Sequence, residues 1–162
     1  MTTTTYLEMR DPDLWVWRET RNPSFTVRES LENQWQDSRS FYEAVGEPWQ
    51  WVDQRSWTEA QWRGYAEADT LRTFVAEHRN TSAGYFELNR EQTGSVEIVY
   101  LGLLPTFIGQ GLGGPLLSHA LRRAWSWDAE RVWLHTCSKD HPRALDNYLK
   151  KGFAVFKTET QE

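Results

Sequence analysis

Cysteine is almost missing from this chain. Cys137 stands alone among 162 residues, so no internal disulfide can form and a reducing, cytoplasmic setting is expected. No apolar run approaches the roughly 18 residues of a membrane span. Met1 is followed by four threonines rather than a basic stretch and an apolar core, so neither a signal peptide nor a membrane partner is expected. Basic residues are scattered and in deficit, 18 against 23 acidic ones for a net charge of −5, which argues against nucleic acid as a partner. No His/Cys/Asp/Glu grouping has metal-ligand spacing, so no metal is expected. Tryptophan, in contrast, is abundant. There are ten, and Trp15, Trp17, Trp35, Trp49, Trp51, Trp57 and Trp62 all fall before residue 63. They read as packing or, for Trp49 and Trp51 together with Tyr42, as an aromatic wall facing a bound molecule.

The length is that of one domain with one core. Residues 4–9 read as a strand ended by Asp11, Pro12 and Asp13. The spacing of Leu31, Trp35, Phe41, Tyr42 and Val45 predicts a helix from residue 24 or 26 to about 45, with Gly46 at its C-terminal stop. Glu47 and Pro48 then force a loop, and Ser56 to Glu59 reads as a capping box for a helix reaching about residue 68. Three strands over 71–77, 83–88 and 96–103, joined by tight turns, suit an antiparallel meander. A helix follows with Leu116, Leu117, Ala120, Leu121, Ala124 and Trp125 on one face and Pro115 in its first turn. A strand over 131–136, a helix over about 142–151 stopped by Gly152, and a strand over 153–158 complete one mixed α/β (α+β) domain spanning 1–162.

The richest stretch joins the apolar strand 96–103 to Pro105 and then to Ile108-Gly109-Gln110-Gly111-Leu112-Gly113-Gly114, where a helix opens. Such a turn aims unpaired backbone N–H groups and a positive helix end at a phosphate, and its glycines remove side chains that would hold a diphosphate away. A P-loop is excluded, because Gly114, Pro115 and Leu116 stand where Lys and Ser or Thr are needed. Glycines 109, 111 and 114 fit the dinucleotide-binding spacing, and Asp128 and Glu130 lie near the required distance. Too little chain follows, however, to build the rest of such a domain.

On these residues the chain resembles the GNAT superfamily of N-acetyltransferases. The family's Arg/Gln-x-x-Gly-x-Gly/Ala loop falls on residues 108–113, with Ile108 in place of Arg or Gln. Its helix pattern Asn-x-x-Ala-x-x-x-Tyr-x-x-x-Gly-Phe falls on His141, Ala144, Tyr148, Gly152 and Phe153, with His141 in place of Asn. The match is good over 82–158 and poor over the first 80 residues. It leaves room for one strand after Gly152 where the family usually has two. The resemblance implies a mixed, mostly antiparallel sheet flanked by helices, splayed between strands 96–103 and 131–136 to admit acetyl-CoA. It also implies cofactor contacts from Ile108, Gly109, Gln110, Gly111, Leu112, Gly113, Gly114 and His141. The pantetheine arm would run along Leu101, Gly102 and Leu103, with an N–H near Leu101 holding the acetyl oxygen.

Glu97 is the sharpest candidate for chemistry. Strand alternation puts it on the side of Val99 and Leu101, where apolar neighbours would raise its pKa toward that of a useful base. The plainer reading is an exposed or salt-bridged carboxylate at a strand start. The resemblance implies a general base at Glu97 and a proton donor to the departing thiolate at Tyr148, which otherwise reads as a core tyrosine beside Ala144 and Leu145. Gly102 reads as a point of close approach or a bulge. His135 reads as a structural histidine, with a second base or a substrate contact as the alternatives, Cys137 as inert and His119 as solvated. The expected function is transfer of an acetyl group to a primary amine in a ternary complex, on a small-molecule or peptide acceptor lined by Tyr42, Trp49, Trp51 and His135. Glu43, Glu47 and Asp53 are candidates to attract a cationic acceptor. Two rivals are a module that senses acyl-CoA without turnover and an interaction protein whose exposed tryptophans and C-terminal residues form a homodimer interface, with residues 153–162 adding a strand across two subunits.

Overall fold

The computed structural model describes residues 1–14 and 23–162, so Trp15 and Trp17 lie outside the described residues. The strands are β1 (Thr2–Met9), β2 (Phe25–Glu29), β3 (Leu71–His78), β4 (Thr81–Arg90), β5 (Ser95–Leu103), β6 (Arg131–Cys137) and β7 (Ala154–Gln161). The helices are α1 (Gln34–Gly46), α2 (Glu59–Ala66), α3 (Gly113–Trp125) and α4 (Ala144–Lys151). Among the described residues, seven strands join one sheet in the order β2-β3-β4-β5-β6-β1-β7, and only β5 and β6 run parallel. The expected meander is β3-β4-β5. The chain's first strand lies between β6 and β7, so β1 supplies the second strand on that side. β7, considered above for joining two copies, pairs with β1 of its own chain.

Two cores sandwich the sheet. One face packs against α3 through Val96, Ile98, Leu116, Leu117, Ala120, Leu121, Val132 and Leu134. The other carries Val75, Tyr85 and Tyr100 beneath Phe41 and Val45 of α1. Buried Glu87 ties this second layer together, accepting hydroxyl hydrogen bonds from Ser38 of α1 (2.6 Å), Tyr65 of α2 (2.7 Å) and Thr73 of β3 (2.7 Å). Much of the tryptophan content is packing here: Trp62 is fully enclosed between Tyr42, Trp57 and Tyr65, and the Arg63 guanidinium covers Trp35.

Three local expectations are corrected. Residues 25–29 form β2, not the start of α1. Their β-branched Thr26 and Val27 pair with β3, Arg28 bridges to Glu77, and Leu31 is left 70 % exposed. The capping box is Thr58 with Gln61, two residues later than Ser56 with Glu59, and this register buries Trp62 and Ala66. β5 also carries a bulge. Glu87 pairs with Tyr100 while Leu88 pairs with Ile98, making Val99 the extra residue and reversing the alternation beyond it. Glu97 therefore shares its face with Tyr100 and Gly102 on the α1 side, whereas Leu101 turns toward α3.

Candidate active site

β5 and β6 pair only from Ser95–Glu97 to Arg131–Trp133, and beyond that point they diverge. The Leu104 N–H donates to Ala83 O at 2.7 Å on the β4 side. Alternation then turns the backbone groups of Leu101 and Leu103 into the gap, and those of Gly102 toward β4. Gly102 is required for another reason: a Cβ there would lie 2.5 Å from Val45 Cγ1, so its missing side chain admits α1.

The glycine turn opens beside this gap. Gly109 (φ +85°) and Gly111 (φ +75°) adopt a left-handed conformation that side chains disfavour. Added Cβ atoms at Gly109, Gly111, Gly113 and Gly114 would meet nothing within 4 Å, so the space around this turn is open. Among the described residues, no backbone acceptor outside the helices and strands takes up the N–H groups of residues 109–114 at the start of α3. Leu112 offers only its backbone, since its side chain is buried in the core. The Gln110 amide folds back to donate to Thr106 O at 2.9 Å, and Ile108 is half-buried. Open, amide-lined space at a helix N-terminus fits a pyrophosphate.

Glu97 lies on the opposite side of the sheet from α3. Burial, and then the nearby Glu91 carboxylate, raise its pKa to about 7. Among the described residues it has no ion-pair partner. Trp133, its partner across the β5–β6 pairing, donates its indole N–H to Glu91 at 2.5 Å. Tyr148 projects from α4 onto the core and meets Phe153 edge-on at 6.1 Å. Burial, followed by the charge of Asp140, raises its pKa well above the ordinary phenol value.

Residues 29–153 match the sequence profile of the acetyltransferase (GNAT) family. The chain belongs to this family. GNAT enzymes use acetyl-CoA as acetyl donor, which suits the amide-lined turn. An N-acetyltransferase of Mycobacterium tuberculosis, itself uncharacterized, is 37% identical over 86 residues, covering 53% of this chain and 54% of its own length. The chain thus spans about half the length of the curated relatives it matches. A GCN5-related N-acetyltransferase from Kribbella flavida shares the fold at a TM-score of 0.69 and 16% identity, covering 96% of this chain and 55% of that one. The spermidine/spermine N-acetyltransferase of Vibrio cholerae does so at 0.62 and 18%, covering 82% and 79%.

The remaining sequence candidates of this GNAT chain divide by position. Tyr42 is 2 % exposed, enclosed by Trp51, Trp62 and Tyr100, and its hydroxyl accepts from the Gln54 N–H at 3.1 Å. It is therefore interior, whereas Trp49 and Trp51 are only half-buried. His141 meets Trp49 edge-on at 5.3 Å, and its Nδ1 accepts from the Arg143 N–H. His135 shares the Glu97 face beside Tyr6, at a ring separation of 5.5 Å. Desolvation lowers the His135 pKa, opposed by Asp140. His119 is half-buried against Phe25 instead of solvated. Two residues went unnoticed in the sequence. Tyr100 accepts from Gln54 Nε2 at 2.8 Å under Trp51, and Asp140 accepts from both the Trp51 loop and the end of β6. The Asp-His-Pro run before α4 was the available signal for Asp140, since aspartate there caps turns.

Proposed function

We propose that this chain transfers an acetyl group from acetyl-CoA to an amine held on the α1 side of the sheet. The observation that carries this reading is the divergence of β5 from β6, with an open amide-lined turn beside it and a desolvated carboxyl at its base. Acetyl-CoA, when bound, supplies the acetyl group as an activated thioester. Amides of residues 109–114 would hold its pyrophosphate, with His141 and the half-buried Ile108 at the margin, and Leu101 and Leu103 would offer backbone partners to the pantetheine arm. The Leu101 N–H would hold the acetyl oxygen as negative charge develops there, a contribution of about 3 kcal/mol for donors of this kind. Glu97, poised near neutrality, takes the proton from the attacking amine, directly or through one water. Tyr148, held protonated by burial, gives its proton to the departing thiolate.

The acceptor is a small-molecule or peptide amine, and Trp49, Trp51 and His135 lie at the half-buried or exposed margins of that face. The net charge of −5 favours a cationic acceptor, as does the shared fold with an enzyme named for spermidine and spermine. The test is thiol release from acetyl-CoA with spermidine, an aminoglycoside, free amino acids and a short peptide. Release above the hydrolytic background with at least one amine supports transfer. CoA binding without release from any amine would make the chain an acyl-CoA sensor.

A further inference from the structure

Past Glu97 and Trp133 the ladder joining β5 to β6 stops, yet among the described residues a side-chain bond still bridges the two walls. The Trp51 indole Nε1–H donates to Asp140 Oδ1 at 3.2 Å. Trp51 belongs to the β5 wall. Its ring lies 5.0 Å from that of Tyr100, and a Cβ on Gly102 would stand 4.0 Å from its Cη2. It is also pressed over Gly46, where an added Cβ would lie 2.6 Å from it. Asp140 belongs to the β6 wall, its Oδ2 accepting from Thr136 Oγ1 at 2.7 Å and from the Cys137 N–H at 2.9 Å. Each partner is anchored to its own strand, so the bond between them sets a separation.

We propose that Trp51 and Asp140 form a clasp that fixes the spacing of β5 and β6 at their open end, with Asp140 as a positioning residue for the cleft. Asp140 also leads into α4, so the same clasp places the helix that carries Tyr148. The proposal rests on the acetyl-transfer reading only for the choice of CoA as probe.

The two carboxylate oxygens have separate partners, which makes the test specific. In Asp140→Asn the amide oxygen keeps Thr136 and Cys137, while its NH₂ faces the indole donor and the clasp opens. Trp51→Phe removes the same bond from the other side and keeps an aromatic ring over Tyr100. Coenzyme A is titrated by calorimetry into the full chain, both single variants and the double variant, and indole ¹⁵N–¹H spectra are recorded. Each single variant should bind CoA about tenfold more weakly, and the double variant no more weakly than either, because all three lose one interaction. The indole signal missing in Trp51→Phe should move upfield in Asp140→Asn. Losses that multiply in the double variant, unchanged affinity in both single variants, or an unmoved indole signal would overturn the clasp. If the unsubstituted chain binds no CoA, the acetyl-transfer reading falls, and the indole signal still decides the clasp.

Discussion

Replacing Glu97 with glutamine separates what its carboxyl does from what it costs. The folded chain holds that proton up to about pH 7, mainly because burial penalises the charge, against an ordinary value of 4.5. A raised folded-state pKa means that stability declines as pH climbs from 4.5 through about 7, then stays low. At about 1.4 kcal/mol for each tenfold change in proton affinity the full penalty is ~3 kcal/mol, and water reaching a half-buried side chain trims it to ~2 kcal/mol. Glutamine matches the shape without the charge. Glu97→Gln should therefore be ~2 kcal/mol more stable than the parent at pH 8 and indistinguishable from it at pH 4, read from urea midpoints at several pH values. Turnover at pH 8 should fall about 10²–10⁴-fold, and the acidic limb near pH 7 should vanish. Equal stability at pH 8 would refute the desolvated carboxyl. Greater stability with unchanged turnover would remove Glu97 from the chemistry.

Tyr148→Phe keeps the ring against Phe153 and removes only the hydroxyl, so turnover should drop about 10²-fold with CoA affinity and melting temperature unchanged in calorimetry. Gly102→Ala drives a methyl into Val45 and should destabilise by about 1–3 kcal/mol in thermal melts, with Val45→Ala restoring part of the loss. Glu87→Ala leaves the hydroxyls of Ser38, Tyr65 and Thr73 without their shared acceptor, and a loss of ~3 kcal/mol or more is expected; under ~1 kcal/mol would contradict the buried network.

Local patterns were legible where the chain's own chemistry decides them. The glycine turn, the antiparallel meander and the Gly152 stop at φ +116° all rest on backbone freedom or short-range alternation. β2 was hidden because its paired residues in β3 lie 45 to 53 positions further along the chain, and pairing across the sheet overrode a helical spacing. The face of Glu97 was misread because one extra residue at Val99 reverses the alternation, and no composition marks that bulge. The local part of Asp140, its turn bonds to Thr136 and Cys137, is signalled by the Asp-His-Pro run, but its bond to Trp51 joins residues 89 apart in the chain and has no sequence signature. The position of β1 between β6 and β7 is likewise a matter of topology, invisible to period or propensity.

The account depends on the amide-lined turn before α3 being a coenzyme A site. Gly113 tests it most cleanly, because its φ is not in the left-handed range and its surroundings are open, so a side chain there fills the cradle without straining the fold. Coenzyme A titrated calorimetrically into the chain should give one saturable site, and Gly113→Val should abolish it while melting at the same temperature. An absence of binding to the unsubstituted chain, or equal binding by Gly113→Val, would contradict the account.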